Sequence, residues 1–470
     1  MKPLDGVEVC VAGDVAVAID AAHLLADYGA SVRFLGERSE RASVTVSGRG
    51  CLNATARMSG PVVPLPGLPA AAPIRAAAGL LALSALALAR VGGTVTVDAD
   101  SAAILLVQPL LLAHWYSAPL PARVTPLRVG EGWAAAELGA PGDAELLQLL
   151  LRTEPFADAE ALSTAAQQWR LPVIPYRRAQ TTSRRDPRRA GRLEGLSGGA
   201  CRPEHPRRGP ESALAGVHVV DVTAMWAGPL CTWLLAQLGA SVVCVESDAR
   251  PDGMRAPHGG GIYPGGRLEP GAGDRSAMFV SLAAGKERVD LDLRVPEDQE
   301  AFARACAQAD LRVDSLSRRA RENLGIVDSG ASGRGPAIVH LPAFSSGPAR
   351  DWVAYGTQIH AISGLAWPAG SDEPIPAATA YPDALAGIAA ALASVVAVHA
   401  AARRSPAPVL TASLMDAIAG LPADGDRGAL LQADPMPRVA ELAAAHADRA
   451  VGFAVAGGSL RHPGSPFMSA

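Results

Sequence analysis

The 470 residues predict an α/β protein: two related Rossmann-like parallel sheets in tandem, carrying one small α+β lobe. Three observations lead there. Residues 214–246 read as strand, turn, helix, strand. Residues 4–36 repeat that reading, and from residue 124 the stretch between the two changes character.

Within 214–246, residues 217–222 are a β-branched apolar run, the pattern of a buried strand. Ala227-Gly228-Pro229 breaks it, and proline suits the first turn of a helix. Leu230, Leu234, Leu235 and Leu238 then recur at helical spacing. Gly239 stands where a left-handed residue ends a helix, and 242–245 returns as a second buried strand. A right-handed crossover between parallel strands is expected. Gly6, Val7, Val9, Leu24, Leu25, Ala26 and Gly29-Ala30-Ser31-Val32 match Gly216, Val217, Val219, Leu234, Leu235, Ala236 and Gly239-Ala240-Ser241-Val242 without a gap. A shared α/β pattern supplies the apolar matches by chance. It does not supply Leu-Leu-Ala followed by Gly-Ala-Ser-Val in one register, so the chain reads as a tandem duplication.

In chain order, residues 37–73 read as turn-rich, 76–89 as a strong helix, 94–97 as a strand and 102–115 as an apolar helix. A hairpin turn at 129–133, helices at 143–151 and 158–169 and a strand at 171–176 make the small lobe. An Arg, Pro and Gly-rich linker without apolar periodicity follows. The second unit then gives strands at 288–293, 337–341 and 409–413 and helices at 296–308 and 384–402. The expected divisions are 1–123 (reduced first α/β copy), 124–176 (small lobe), 177–212 (linker), 213–422 (second copy, with the site) and 423–470 (tail).

Composition narrows the function. Hydrophobic residues at 49% and charged residues at 19% describe a folded chain, not a disordered one. A net charge of −4 gives no footprint for nucleic acid or an anionic membrane. The six cysteines show neither CxxC spacing nor a neighbouring histidine pair, so a reducing cytoplasm without disulfide or metal site is expected. No signal-peptide pattern opens the sequence, and the apolar run 76–89 is short for a bilayer span. Gly195–Gly199 formally matches the G-x-S-x-G elbow, but lacks the strand before and helix after that the elbow needs.

Eight segments in order, from VVDVTAMWAGPL (219–230) through ARPDGMR (249–255), GKERVDLDL (285–293), 309–326, 354–370, AYPDALAGIAAAL (380–392) and VLTASLMDA (409–417) to the terminal LRHPGSPF, resemble the class III CoA-transferases. That family includes formyl-CoA and carnitine CoA-transferases and α-methylacyl-CoA racemases. The first half resembles a reduced copy: residues 87–111 look like the family's helix-strand-helix, and Gly132-Trp133 with 171–177 like its small lobe. Members are interlocked homodimers, so the resemblance implies a fused pseudo-dimer, acting as a monomer or as a homodimer.

The implied reaction moves CoA between an acyl-CoA and a carboxylic acid. CoA and acyl-CoA enter as substrates, with no permanently bound cofactor, metal, nucleic acid or membrane. Asp383 holds the place of the family's nucleophile. From the residues themselves, Asp383 follows Pro382 and opens a helix with no other acid, where the dipole favours a carboxylate; capping that helix is the other use of such an aspartate. Arg255 and Lys286 match family residues placed on CoA. Ser317 stands where the family has an arginine, leaving its neighbour Arg318 or Arg319 to substitute, or CoA to be held less tightly. Trp226 replaces the glutamine of formyl-CoA transferases, which argues against an oxalate-like acid. Aligning Gly79 with Gly387 puts Arg75 at the nucleophile's place in the first copy. A racemase would need Tyr355, at the family's histidine position, or His360 beside it. A non-catalytic CoA-binding or scaffolding homologue is the third alternative.

Overall fold

Short strands of three to six residues build the first sheet. The computed structural model describes all residues except 1, 14, 35–41, 49–50, 121–123, 125, 140–141, 154, 179–209, 257–259, 264–271, 329–334, 369–370, 403–406, 423–427, 456–457 and 470. The first half runs β1 (Val7–Ala12), α1 (Val15–Asp27), β2 (Ser31–Phe34), β3 (Ser43–Gly48), β4 (Ala54–Ser59), α2 (Ala72–Leu88), β5 (Gly93–Asp98) and α3 (Ala99–Trp115). Strands β3 and β4 lie where turns were expected. Val44 and Val46 of β3, and Ala54, Ala56 and Met58 of β4, turn inward at every second residue. The Ser and Thr between them disguise that alternation.

The small lobe is β6 (Pro126–Val129), β7 (Gly132–Ala136), α4 (Asp143–Thr153), α5 (Ala159–Gln168) and β8 (Val173–Pro175). Its three strands are antiparallel, and Leu147, Leu150, Leu162 and Val173 give it a core of its own. The expected linker falls mostly outside the described residues, as does the Gly195–Gly199 motif.

The second half runs β9 (His218–Val222), α6 (Ala227–Gln237), β10 (Ser241–Glu246), α7 (Ala277–Ala283), β11 (Glu287–Asp290), α8 (Pro296–Gln308) and β12 (Leu311–Asp314). It continues through α9 (Arg318–Asn323), β13 (Ala337–His340), α10 (Gly356–Ile362), α11 (Tyr381–Ala401), β14 (Val409–Thr411) and α12 (Leu414–Ile418). The chain ends in α13 (Gly428–Gln432), α14 (Met436–Ala445), a hairpin of β15 (Val451–Val455) and β16 (Gly458–His462), and β17 (Phe467–Ser469).

One sheet has the order β17-β5-β4-β3-β1-β2, the other β11-β10-β9-β12-β13-β14. Strands β1 and β9 each lie beside and parallel to the strand that follows their helix, β9 inside its sheet and β1 next to the edge strand β2. The second sheet is parallel throughout. The first is mixed rather than parallel as expected, because β3 runs antiparallel to both β1 and β4. Parallel neighbours need a crossover of a dozen residues or so, and the connections around β3 are too short to hold one. The tail also does more than trail: β17 pairs with β5 and extends the first sheet.

Helix α11 packs against α6, α2 and α12. Among the described helices it is long and apolar enough to cross a membrane, with mean hydropathy 2.0, yet 89% of that stretch is buried inside the protein. Gly79 of α2 lets the halves approach: a Cβ there would lie 2.6 Å from Ile388 of α11. Gly387 does the same against α6, where a Cβ would lie 2.7 Å from the Ala227 carbonyl.

Candidate active site

Asp383 lies in the first turn of α11, with Tyr381 and Pro382 before it. Proline there needs no N–H partner and presets the helical φ. The carboxylate does not cap its own helix, for no side-chain hydrogen bond closes that N-terminus. Asp383 Oδ2 instead accepts the backbone N–H of Gly356, at 3.0 Å, across from the start of α10. Gly356 is required by this approach: a Cβ would fall 2.2 Å from Oδ2 and 2.8 Å from the Ala380 carbonyl. Asp383 ionises late, its carboxyl pushed up to about 8 by burial first and by the charge of Glu137 second, against the opposing Gly356 hydrogen bond. Removing a carboxylate from water disfavours its charged form.

Helix α10 is clamped to the small lobe by two glutamines. Gln358, fully buried, donates to the carbonyls of Ala135, at 3.1 Å, and Pro172. Its amide oxygen takes the N–H of Tyr355 at 3.1 Å. Gln167 of α5 exchanges a pair of hydrogen bonds with the backbone of Val353, at 2.7 and 2.9 Å. This docking brings Glu137, the residue after β7, to the hydroxyl of Thr357. Burial raises the Glu137 carboxyl above its usual range despite that hydrogen bond. No local pattern marked Glu137; only the small lobe's position reveals it.

Helix α11 lies in the connection between the parallel strands β13 and β14, which puts its head, with Asp383, on the side of their carboxyl ends. The chain leaves β9 for β10 on one side and for β12, β13 and β14 on the other, and ligands of open α/β sheets bind in the crevice at such a reversal. The loop after β9 spans it, with the Ala224 N–H 3.3 Å from Ser315 Oγ beyond β12. Met225 there has φ +71, a conformation rare for a residue with a side chain and often held at functional sites. Its N–H is fixed by both oxygens of Asp252, each at 3.1 Å. The indole N–H of buried Trp226, next in the loop, has no acceptor among the described residues.

Residues 214–426 match the family model described as CoA-transferase family III. That stretch, somewhat under half of the chain, is similar to that family. Similar curated proteins include the succinyl-CoA–D-citramalate CoA-transferase of Chloroflexus aurantiacus, 29% identical over 217 residues, covering 45% of this chain and 52% of that protein. The formyl-CoA:oxalate CoA-transferase of a Bradyrhizobium strain is 26% identical over 213 residues, with 44% and 48% covered. This chain spans about half the length of such relatives. Among solved structures, a hypothetical protein of Mycobacterium tuberculosis matches at 23% identity and TM-score 0.39, with 48% of this chain and 60% of the other covered. A CAIB/BAIF family protein of Brucella suis matches at 20% and 0.36, covering 52% and 64%.

The three expected CoA cations have different surroundings. Lys286 is buried, its side chain 3% exposed. Its ammonium donates to the Pro229 carbonyl at 2.8 Å, Thr232 Oγ1 at 2.6 Å and Asp221 Oδ2 at 3.2 Å. An ammonium has three donors, and these contacts engage all of them, which leaves none for a phosphate. Arg255 holds both Glu246 oxygens, at 2.7 and 2.8 Å, stacks 3.7 Å above the Phe279 ring and meets Asp274. In the structure both side chains make internal ion pairs, Lys286 with Asp221 and Arg255 with Glu246. Arg318, half-exposed at the start of α9, faces Asp351 and Glu322, each at 3.1 Å, and stays within reach of solvent.

His360 is fully buried: Nε2 lies 3.1 Å from the Ile375 carbonyl and Nδ1 3.0 Å from the Tyr381 hydroxyl. A carbonyl only accepts, so Nε2 carries the proton and Nδ1 accepts from the tyrosine. Burial lowers this imidazole to about 4 and keeps it neutral. Tyr355 faces Glu137 and Asp383, and burial, then those charges, raise its phenol. In the first half, Arg75 pairs with Asp20 at 2.5 Å and reaches the Ala417 and Ala419 carbonyls at the end of α12, at 3.2 and 3.4 Å.

Proposed function

We propose that the chain is a CoA-transferase in which Asp383 attacks an acyl-CoA and carries the acyl group. The observation behind this reading is a carboxylate half-buried at the head of a core helix, with no cation paired to it among the described residues and its ionisation held back by desolvation, inside the region that matches CoA-transferase family III. A carboxylate with a raised pKa is the stronger nucleophile once ionised, and little water competes with the thioester for it. One Asp383 oxygen bonds to the thioester carbonyl carbon, and the C–S bond breaks to release CoA thiolate and leave a mixed anhydride. The thiolate then attacks the aspartyl carbonyl; the first carboxylate leaves and an aspartyl-CoA thioester remains. An incoming carboxylate retraces both steps, regenerating Asp383 and forming the new acyl-CoA. The Trp226 indole N–H, which has no acceptor among the described residues, is the donor assigned to an oxyanion, because the Ala224 and Met225 N–H groups are already engaged.

In the same proposal the halves derive from a duplication and divide the work. The second keeps the nucleophile, while the first keeps the lobe that docks on α10, with Arg75 at the position matching Asp383. Arg318 is the cation left for a CoA phosphate. The engaged nitrogens of His360 and the raised phenol of Tyr355 favour transfer over racemisation, since neither offers a ready base near neutral pH. Incubation with a panel of acyl-CoA donors, hydroxylamine trapping and peptide mass spectrometry test the reading. An adduct on Asp383 supports it. Deuterium entering the α-carbon of a 2-methylacyl-CoA without transfer would replace it with racemisation, and CoA binding with no adduct from any donor would leave a non-catalytic homologue.

A further inference from the structure

Two half-buried carboxyls are held by consecutive residues of one turn, and they come from opposite halves of the chain. Gly356 N–H holds Asp383 at 3.0 Å, and the hydroxyl of the next residue, Thr357, holds Glu137. Glu137 is placed firmly. Its own N–H donates to the Pro172 carbonyl at 3.1 Å, the same oxygen that receives the Gln358 amide. Among the described residues neither carboxyl has an ion-pair partner.

As a structural anchor for Thr357 this is a poor choice. Glutamine has the same length, accepts the same hydroxyl and carries no charge to desolvate. Two carboxyls buried close together are stable only while they share a proton, because the second ionisation works against the charge of the first. An arrangement that costs stability and serves no packing need is the kind retained for function.

We propose that Glu137 is a positioning residue of the Asp383 site: the small lobe contributes the carboxyl that decides when the nucleophile carries its charge. The inference rests on the transferase reading only in calling Asp383 the nucleophile. The ionisable surroundings are few. Tyr355 on α10 faces both carboxyls, and Asp143 of α4 and Arg250 act on Tyr355. His360 and Tyr381 satisfy each other. The helices packed against α11 place no charge on Asp383, and Glu137 is the one ionisable group that does. The charge on Glu137 delays the ionisation of Asp383; neutralising Glu137 or moving it away lowers the pH at which Asp383 ionises and can attack. Undocking the small lobe would remove Glu137 and α10's clamp together, so the nucleophile is regulated by the half of the chain that lacks one.

The test uses the full chain and a readout that needs no substrate. Infrared titration of the carboxyl band, with Asp383→Asn as the subtraction, follows Asp383 ionisation directly. In Glu137→Gln the Asp383 midpoint should fall by about one pH unit, and the acidic limb of Asp383 acylation by an acyl-CoA should move with it. Thr357→Val removes the hydrogen bond that favours ionised Glu137 and should also lower the Asp383 midpoint; it serves if Glu137→Gln does not fold. Midpoints that stay put in whichever variants fold would overturn the inference. Acylation of Asp383 with an unmoved midpoint would leave the transferase reading and remove Glu137. A moved midpoint without acylation by any donor would keep the carboxyl pair and remove the transferase reading.

Discussion

The loop and turn before each half's central core helix show what became of two similar folds. In the second half α11 opens on Asp383, half-buried, with no cation paired to it among the described residues and ionising near 8. At the matching place in α2 stands Arg75, whose guanidinium bridges Asp20 and the carbonyls closing α12. One position is tuned against stability and the other toward it. The sheets differ in the same sense. The second keeps long crossovers, and with them the loops at strand ends that can form a site. In the first the connections around β3 are short, and β17 adds an extra strand. The two regions also meet: the small lobe following the first sheet contacts the other half through Gln167, Gln358 and Glu137.

Asp383→Asn breaks the comparison most sharply. Transfer should drop by about four orders of magnitude or to background, the usual consequence of removing a covalent nucleophile, while the fold persists. Stability should move the other way. The folded carboxyl titrates near 8, above the 3.8 of the unfolded chain. Its burial therefore costs nothing below pH 3.8, grows more destabilising as pH rises, and levels off above about 8. Melting temperature in Asp383→Asn should exceed wild type at pH 8 and match it near pH 4. By the same sign, the wild-type acylation rate should climb with pH toward a plateau above 8.

Lys286→Met comes next. It leaves the buried Asp221 carboxylate without its cation, a loss of about 3–5 kcal/mol for a broken buried pair, to be read as a fall in denaturation midpoint. An unchanged midpoint with weakened CoA binding would return Lys286 to the role its sequence context first suggested. Gly356→Ala pushes a methyl onto Asp383 Oδ2 and should cost about 1–3 kcal/mol, together with a fall in kcat larger than any change in KM.

Arg75→Ala should lower stability by about 1–2 kcal/mol through the partners it strands, with the Asp383 adduct forming as before; loss of the adduct would show that the first half acts in the chemistry. Arg318→Ala has the smallest effect on folding, since exposed ion pairs contribute about 0–1 kcal/mol. Its expected signature is a raised KM for the acyl-CoA with kcat unchanged.

What the sequence by itself determined was everything written in short-range pattern. Both strand–helix–strand units, the small lobe's elements and the place of Asp383 at the head of an apolar helix follow from periodicity, glycine stops and a proline start, because backbone propensity and one-sided burial act over a few residues. Two strands hidden among serine and threonine escaped that pattern. Tertiary structure alone decided which charges are paired inside the protein. Lys286 meets Asp221 across 65 residues and Glu137 meets Thr357 across 220. Nothing local distinguishes a buried strut from a surface cation, or a site carboxylate from a solvated one. Desolvation and pairing set those roles, and both exist only once distant segments have come together.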